Sequence, residues 1–529
     1  MTRTVRYHRI VPGYFVENFG CRATQADGAA LERQFEERGL SRASTPAQAS
    51  VVVMNTCTVT AGADQDARAA IRRVRRQNPE ARIVVTGCYA QRAPEEIAAL
   101  PGVSLVIGNS HKHQLAEIVG ATSAQLTPAS EWPAAAIATK NESAFEGGLG
   151  WSSAFSAALE PSSSSRALAP MELAFVPLTT LTGPTGSRAP EAGSGIFVSD
   201  IFAHTELLAA PVFDAANERT RPNLKVQDGC DNRCSFCVIP YVRGHNRSLE
   251  IDRILREVNG LVESGYREVV ISGINLGRWG RDLDVALQKP TLENLIRAIL
   301  AETALEKLRI SSVEPMDWSD ELISLVASSP RIAKHAHVPM QSGSDAVLRR
   351  MHRKYRPWHY REKIEKIRAA MPTAAIGADV MVGFPGETDA EFEATRRMLE
   401  ELPFTYLHVF TYSARPGTPA AAMTNPVPLH LARERNRVLR ELAAEKKLAF
   451  MRSFLGKPVD AITLNVTGND AIGEFTEALT DNYLKLRLRG RHEANRWLCA
   501  EIHEVVDGAL LGLKAYAQAD ATTTKARPR

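Results

Sequence analysis

The chain has 529 residues, a formal net charge of +4, 44% hydrophobic residues and 23% charged residues. This length exceeds that of one ordinary hydrophobic core, so we expect about three domains, and the composition is typical of a soluble globular protein. The small net charge excludes a protein that coats nucleic acid uniformly, so any RNA-binding charge must be local. The N-terminus lacks a secretory signal, and no run reaches the roughly 18 apolar residues of a membrane span. We therefore expect a cytoplasmic protein without a membrane partner.

Residues 1–120 alternate short apolar runs with amphipathic stretches. Helices are predicted at stretches such as Asp27–Gly39 and Asp64–Gln77. Strands are predicted at Tyr14–Asn18, Val51–Asn55, Ile83–Thr86 and Ser104–Ile107. This alternation predicts an α/β domain with an open, mostly parallel sheet covered by helices.

Residues 121–215 have a different composition, in which Ala, Ser, Pro, Gly and Thr dominate and periodicity is poor until IFVSDIF at 196–202. Such a composition favours a low-complexity linker or insertion that is partly disordered. A small additional domain is the alternative.

Residues 216–453 return to alternation and end in one long predicted helix over 429–453. The predicted strands are Leu224–Gln227, Glu268–Ser272, Lys307–Ser311, Ala336–Pro339, Ile376–Val382 and Tyr406–Thr411. Helical patterns lie between most of them. These strand–helix units predict a partial (βα)6 barrel, a fold that presents functional groups at the carboxyl ends of its strands.

Residues 454–518 contain strand-like runs at regular spacing, which predict a small all-β barrel, and residues 519–529 are predicted to be a disordered tail. The runs are Val459–Leu464, Glu474–Leu479, Leu484–Leu488, Trp497–Ile502 and Gly508–Ala515. Because side chains alternate along a strand, basic residues spaced two apart share one face, which here suits RNA phosphates. These residues are Lys485, Arg487, Arg489 and Arg491, whereas Leu484, Leu486 and Leu488 would pack the core.

A cysteine motif follows the first predicted strand of the central domain. Cys230, Cys234 and Cys237 form C-x3-C-x2-C. Thiolates are the usual ligands of a 4Fe-4S cluster, and three of them leave the fourth iron open for an exogenous ligand. In a radical enzyme this ligand is S-adenosylmethionine, whose reductive cleavage releases a 5′-deoxyadenosyl radical. A zinc knuckle or a ferredoxin loop is the alternative, although zinc would need a fourth protein ligand.

The ends of the later predicted strands carry small and polar residues that could bind S-adenosylmethionine. Glycine allows close approach of the backbone to a ligand, and the polar side chains could hydrogen-bond the amine, ribose or adenine. For each polar residue, a role in a turn or a helix cap is the alternative. The residues are Gly273, Asn275, Glu314, Gln341 and Ser342.

Three further cysteines, Cys21, Cys57 and Cys88, each follow a predicted strand of the N-terminal domain. If these strands are parallel neighbours, the three thiols meet at the sheet edge where open α/β sheets bind ligands. We therefore predict a second 4Fe-4S site with one open iron. A single cysteine is often only a small buried hydrophobic residue, and this interpretation is kept for Cys499.

The order of these three domains resembles the radical-SAM methylthiotransferases, whose C-terminal barrel is a TRAM RNA-binding domain. The resemblance covers all but residues 121–215 and the tail. It rests on the strings ENFGCRATQAD, NTCTVTAGADQDAR, VVTGCYAQ, KVQDGCDNRCSFCVIPYVRGHNRS, VPMQSGSDAVLRRMHRKY, VMVGFPGE and HVFTYSARPGTPA.

The resemblance implies two 4Fe-4S clusters and S-adenosylmethionine as cofactors. Cys230, Cys234 and Cys237 would hold the radical-generating cluster, and the N-terminal trio the auxiliary cluster that carries the sulfur to be inserted. One S-adenosylmethionine would methylate this sulfur, and a second would supply the radical that functionalises the target C–H bond. The implied partners are tRNA, an electron donor such as flavodoxin or ferredoxin, and a sulfur source.

The substrate is suggested by Thr58-Val59-Thr60 and the following ADQDARAAIRR. These resemble the branch that adds a methylthio group to C2 of N6-threonylcarbamoyladenosine beside the tRNA anticodon. The branches for isopentenyladenosine and for a ribosomal-protein aspartate remain alternatives, as does a non-catalytic electron carrier or RNA-binding iron–sulfur sensor. The string Gly20–Gln25 and the long segment 121–215 depart from the usual pattern of the branch.

Overall fold

The computed structural model describes residues 13–124, 195–208, 221–283, 289–470 and 473–515. Most of the predicted linker and the predicted tail over 519–529 lie outside the described residues. The chain divides into two units, one with residues 1–116 and 193–529 and the other with residues 117–192. All contacts described below lie within the first unit.

The N-terminal domain is built on a parallel six-stranded sheet of order β2-β1-β3-β4-β5-β6. All six residues of the third strand in the chain are buried, as expected for a parallel strand covered on both faces. The strands are β1 Gly13–Asn18, β2 Ser41–Arg42, β3 Val51–Thr56, β4 Arg82–Gly87, β5 Val103–Ile107 and β6 Gly195–Phe197. The helices are α1 Arg22–Glu36, α2 Ala61–Gln77, α3 Cys88–Arg92, α4 Pro94–Ala98 and α5 Leu115–Ala124.

The predicted open parallel sheet is confirmed, with one addition. Strand β6, which lies within the segment predicted to be a linker, pairs in parallel with β5 at the edge of the sheet. The apolar IFV run at 196–198 therefore belongs to the N-terminal domain rather than to a linker.

The central domain, residues 221–452, contains the six predicted strands in two parallel sheets. β9 lies between β7 and β10 in one sheet, and β12 lies between β11 and β13 in the other. An isolated bridge links Leu308 of β10 to Ile332, which precedes β11, and the short β8 pairs antiparallel with β7. The strands are β7 Asn223–Asp228, β8 Arg247–Ser248, β9 Glu268–Gly273, β10 Lys307–Ile310, β11 His335–His337, β12 Ala375–Val382 and β13 Tyr406–Thr411.

The helices of this domain cover the apolar face of the strands. Thr388 and Glu391 form the predicted capping box at the start of α12, which satisfies backbone N–H groups of its first turn. The helices are α6 Ile239–Arg243, α7 Ile251–Glu263, α8 Leu292–Glu302, α9 Asp320–Ser328, α10 Asp345–Arg350, α11 Pro357–Ala370, α12 Asp389–Glu401 and α13 Leu429–Arg452.

The C-terminal domain is a closed barrel of order β14-β15-β16-β18-β17, antiparallel except for the pairing of β16 with β18. Leu484, Leu486 and Leu488 are buried in its core, as predicted. The strands are β14 Pro458–Asp470, β15 Gly473–Thr480, β16 Lys485–Arg489, β17 Trp497–Val506 and β18 Ala509–Lys514.

A buried ion network joins the N-terminal domain to the central domain. Asp27 of α1 accepts hydrogen bonds from Lys112 (3.0 Å), Arg243 (3.0 Å) and Lys225, and the last two also pair with Asp228. Burial acts to raise the pKa of Asp27, but the positive charges of Lys112, Lys225 and Arg243 outweigh it and lower this pKa to about 2. The network therefore holds Asp27 ionised and fixes α1 against β7.

Candidate functional site

A cavity of about 640 Å³ lies where the three domains meet. Cys21 comes from the N-terminal domain, Cys230, Cys234 and Cys237 from the loop after β7, and Tyr483 from the turn between β15 and β16. The two predicted cysteine sites thus border the same space.

The C-x3-C-x2-C loop is fixed by backbone and side-chain hydrogen bonds. Arg353 donates to Sγ of Cys234 (3.1 Å) and pairs with Glu314, and Asn275 donates to Sγ of Cys230 (3.5 Å). Burial raises the pKa of the Cys237 thiol to about 12. Because metal coordination favours the thiolate over the thiol, this buried three-sulfur donor set fits an iron–sulfur cluster.

The residues predicted to bind S-adenosylmethionine divide into two groups. Gly273, Asn275, Glu314 and Gln341 line the cavity. Ser342 differs from the prediction, because it is buried away from the cavity lining and its hydroxyl contacts Thr395 (3.1 Å) and accepts from the backbone N–H of Ser344 (3.1 Å). Its position assigns it to the packing of the loop.

Buried polar atoms beside the cavity have no hydrogen-bond partner among the described residues. They include Oγ of Ser272, Oδ1 of Asn275 and Oγ of Ser311. Buried polar groups are normally paired, so these atoms indicate a polar ligand that is bound here during function. This observation fits a nucleoside-containing cofactor such as S-adenosylmethionine.

The N-terminal cysteines converge as predicted, because β1, β3 and β4 are parallel neighbours. Asn18 is the register partner of Asn55, and Thr56 that of Gly87. Cys57 and Cys88 are buried and Cys21 is exposed to the cavity. Burial and the neighbouring Cys88 and Cys21 raise the pKa of the Cys57 thiol to about 12. Such a set of adjacent thiols fits a second cluster, whereas Cys499 lies in β17 and does not line the cavity.

The Thr58-Val59-Thr60 string has mainly structural roles. The hydroxyl of Thr58 donates to Asp64 (2.6 Å) and accepts from Arg92 (2.8 Å) and Arg415 (3.0 Å), the last from the central domain. The hydroxyl of Thr60 caps α2 by accepting from Ala63. Only Val59 lines the cavity.

A set of polar residues in the cavity was missed by the sequence analysis. In β10, Leu308 and Ile310 pack into the core while Arg309 faces the cavity, and β11 and β13 alternate in the same way. This alternation is visible in the strings KLRI, HAHV and YLHV and was the available signal. The polar wall, as we name it, consists of Arg309, His335, His337, Asp379, Tyr406 and His408.

Within the polar wall, Asp379 lies between two imidazole rings. Oδ1 of Asp379 is 3.3 Å from Nδ1 of His408 and 3.3 Å from Nε2 of His337. Burial acts to raise the pKa of Asp379, but the neighbouring imidazoles of His337 and His408 outweigh it and lower this pKa well below its usual range. Asp379 therefore remains a carboxylate and orients His408.

The predicted RNA-binding residues lie on the outside of the C-terminal barrel. Lys485 and Arg491 are exposed. Arg487 lies 3.7 Å from Asp507 and Arg489 2.7 Å from Asp470, so intramolecular ion pairs occupy both. No helix in the described part of the chain combines the length and apolar character that crossing a membrane requires.

Comparison with known proteins assigns families to two of the domains. Residues 13–108 match the model of Uncharacterized protein family UPF0004, and residues 224–399 match that of the Radical SAM superfamily.

Curated relatives extend over nearly the whole chain. A protein of Aquifex aeolicus named threonylcarbamoyladenosine tRNA methylthiotransferase MtaB is 32% identical over 482 residues, which cover 91% of this chain and 97% of the relative. A Bacillus subtilis protein of the same name is 33% identical over 90% of each chain. A Novosphingobium aromaticivorans protein named tRNA-2-methylthio-N(6)-dimethylallyladenosine synthase is 31% identical over 84% of this chain and 85% of the relative.

Proposed function

The chain belongs to the radical-SAM methylthiotransferase family, and we propose that it adds a methylthio group to C2 of N6-threonylcarbamoyladenosine on the 3′ side of the tRNA anticodon. The observation that carries this proposal is the single cavity shared by Cys21 and the Cys230–Cys237 loop, because sulfur insertion requires both cysteine sites to reach one substrate atom. The names of the relatives from Aquifex aeolicus and Bacillus subtilis support threonylcarbamoyladenosine in tRNA as the substrate.

The enzyme uses two 4Fe-4S clusters and S-adenosylmethionine. When bound, these groups supply the radical, the methyl group and the sulfur that the reaction needs. Cys230, Cys234 and Cys237 would hold one cluster, and the N-terminal trio the other.

The protein's own residues position these groups. Arg353 places a positive charge beside Cys234, which stabilises the thiolate electrostatically, and Asn275 donates a hydrogen bond to Cys230. The Asp27 network and the Thr58–Asp64–Arg415 contacts fasten the N-terminal domain to the central domain at two points. These two sets of contacts fix the separation between the N-terminal cysteines and the Cys230–Cys237 loop.

We further propose that the C-terminal barrel is a TRAM domain that binds tRNA through the face carrying Lys485, Arg487, Arg489 and Arg491. A single-stranded loop is the fitting target, because its bases can be unstacked and presented to the cavity. We also propose that the enzyme receives electrons from a donor such as flavodoxin or ferredoxin and takes sulfur from a separate source. Its proposed location is the cytoplasm, where tRNA is found.

A second candidate substrate is isopentenyladenosine, favoured by the name of the Novosphingobium aromaticivorans relative. The polar wall argues against it, because a hydrocarbon substituent would desolvate buried polar groups without hydrogen-bonding them. Threonylcarbamoyladenosine offers the wall a hydroxyl, a carbonyl and a carboxylate instead.

The two candidates can be separated in a purified system. The anaerobically reconstituted protein is incubated with reductant, sulfide, S-adenosylmethionine and anticodon stem-loops that carry either modified adenosine. Nucleoside mass spectrometry should detect the methylthio product of threonylcarbamoyladenosine. A product formed only from isopentenyladenosine would overturn the assigned substrate.

A further inference from the structure

The polar wall contains hydrogen-bonding groups that no residue in the described part of the chain satisfies. His408 presents an imidazole that is 56% exposed, and its Nδ1 lies against Asp379. Its Nε2 makes no hydrogen bond with any described residue. The ring is therefore held at one nitrogen and offers the other to the cavity.

Arg309 is the second unsatisfied group. Its side chain is 1% exposed, and Nε donates to Glu268 (2.6 Å). Among the described residues, neither Nη1 nor Nη2 has a hydrogen-bond partner. A buried guanidinium with two free nitrogens matches the two oxygens of a carboxylate.

The surroundings of Arg309 favour a negatively charged ligand. Arg22 donates to the hydroxyl of Tyr483 (3.1 Å), and the guanidinium of Arg221 lies 5.9 Å from the centre of the same ring. Glu268 offsets one of these three positive charges. The ring of Tyr483 lies 5.3 Å from the Arg309 guanidinium, and both groups line the cavity.

Tyr483 adopts φ +69°, which is unfavourable for a residue other than glycine. Its neighbours Asp481 and Asn482 hold this turn on the central domain, through Lys307 (3.4 Å) and the carbonyl of Thr373 (2.9 Å). Strained residues that the surrounding structure holds in place cluster at ligand sites. The turn therefore belongs to the site and brings the C-terminal barrel into contact with it.

From these contacts we propose that the polar wall is the subsite for the N6 substituent of the target adenosine, with Arg309 binding its carboxylate and His408 hydrogen-bonding its polar atoms. This inference rests on the proposed function and deepens it. Asp379 is the positioning residue that fixes the His408 ring. Discrimination is strong in such a site, because a substituent without polar atoms leaves the buried groups unpaired.

The test measures equilibrium binding of anticodon stem-loops to the anaerobically reconstituted protein in the presence of S-adenosylmethionine. The probes carry threonylcarbamoyladenosine, its methyl ester or isopentenyladenosine. The wild-type protein should bind the acid roughly ten- to a hundredfold more tightly than the ester, the range expected for a hydrogen bond between charged groups. Equal affinity for acid and ester would overturn the assignment of the carboxylate to Arg309.

The variant His408→Phe keeps an aromatic ring and removes its hydrogen bonds. It should weaken binding of the threonylcarbamoyl probe about tenfold without weakening binding of the isopentenyl probe, and His408→Gln should restore part of the loss. His430→Phe, at an exposed histidine of α13 outside the cavity, is the matched control and should change neither affinity.

Three outcomes would overturn the assignment of His408. The first is equal weakening of the binding of both probes by His408→Phe, which would indicate contact with the RNA backbone. The second is unchanged binding of the threonylcarbamoyl probe. The third is zinc-dependent binding that is lost in His408→Phe. The last would identify a metal site, since ligand atoms of His337, Asp379 and His408 lie within 4.8 Å of one another. Absence of any methylthio product from threonylcarbamoyladenosine, with its tight binding retained, would instead reject the proposed function alone.

Discussion

Gly20 immediately precedes the first cysteine of the N-terminal trio, at φ +89°. A Cβ atom at this position would lie 2.7 Å from Sγ of Cys57. Only glycine combines this backbone conformation with so close an approach. The position of Cys57, a proposed cluster ligand, therefore depends on Gly20, which packs against it.

We predict that Gly20→Ala displaces Cys57 and lowers the iron content of the reconstituted protein from about eight to about four atoms per chain, the content of one 4Fe-4S cluster. Gly39→Ala is the matched control, because Gly39 also has a positive φ but no atom within 4 Å of the added Cβ. Iron analysis after anaerobic reconstitution measures both variants. Full iron content in Gly20→Ala would contradict the predicted geometry.

At the scale of elements, Asp27 on α1 connects two domains. Its folded pKa of about 2 lies below the ordinary value of 3.8, so its ionisation stabilises the fold. A carboxyl group with a lowered pKa contributes this stability above pH 4 and loses it as the pH falls from about 4 towards 2. The contact between the domains should weaken over this acid range.

Replacing Asp27 with Asn should leave Lys112 without a counter-charge, while Lys225 and Arg243 would share Asp228 alone. Removing one partner of a buried ion network destabilises by about 3–5 kcal/mol, which urea unfolding at pH 7 can measure. Asp320→Asn is the control, since this side chain is 73% exposed and should cost less than about 1 kcal/mol. Equal effects of the two substitutions would contradict the role given to the network.

The sequence predicted the main strands of all three domains, because their apolar runs have recognisable lengths and spacing. It missed β2, β6 and β8, which are two or three residues long and form only by pairing with an existing strand. The placement of the N-terminal cysteines at one sheet edge was predictable, because each cysteine follows one of three parallel strands. The Asp27 network was not, because its partners Lys112 and Arg243 lie 85 and 216 residues away.

The face of the C-terminal barrel gives another prediction at this scale. Because Arg487 and Arg489 are engaged in ion pairs, replacing Lys485 and Arg491 with Gln should weaken tRNA binding more than replacing the other two. The slope of the logarithm of the binding constant against the logarithm of salt concentration should become shallower, by the amount that corresponds to about two lost phosphate contacts. An unchanged salt slope, measured by filter binding at several salt concentrations, would show that RNA binds elsewhere.

At the scale of the whole molecule, the cavity assembles residues from three domains that are far apart in the sequence. The proposed radical site belongs to the central domain, the proposed sulfur site to the N-terminal sheet, and Tyr483 to the barrel proposed to bind tRNA. Such a division assigns cleavage of S-adenosylmethionine to one cysteine set and sulfur transfer to the other.

This division predicts that replacing Cys21, Cys57 and Cys88 together with Ala halves the iron content, preserves reductive cleavage of S-adenosylmethionine and abolishes methylthio transfer. Cys499→Ala serves as the control and should change none of these properties. Cleavage is followed as release of 5′-deoxyadenosine. If the folded triple variant no longer cleaved S-adenosylmethionine, the two sites would not be independent.

The central claim is tested most directly by nucleoside mass spectrometry of tRNA from cells that lack this protein. We predict that 2-methylthio-N6-threonylcarbamoyladenosine disappears, that N6-threonylcarbamoyladenosine accumulates in its place, and that the wild-type gene restores the methylthio form. Retention of this nucleoside together with loss of the methylthio form of isopentenyladenosine would contradict the proposed substrate.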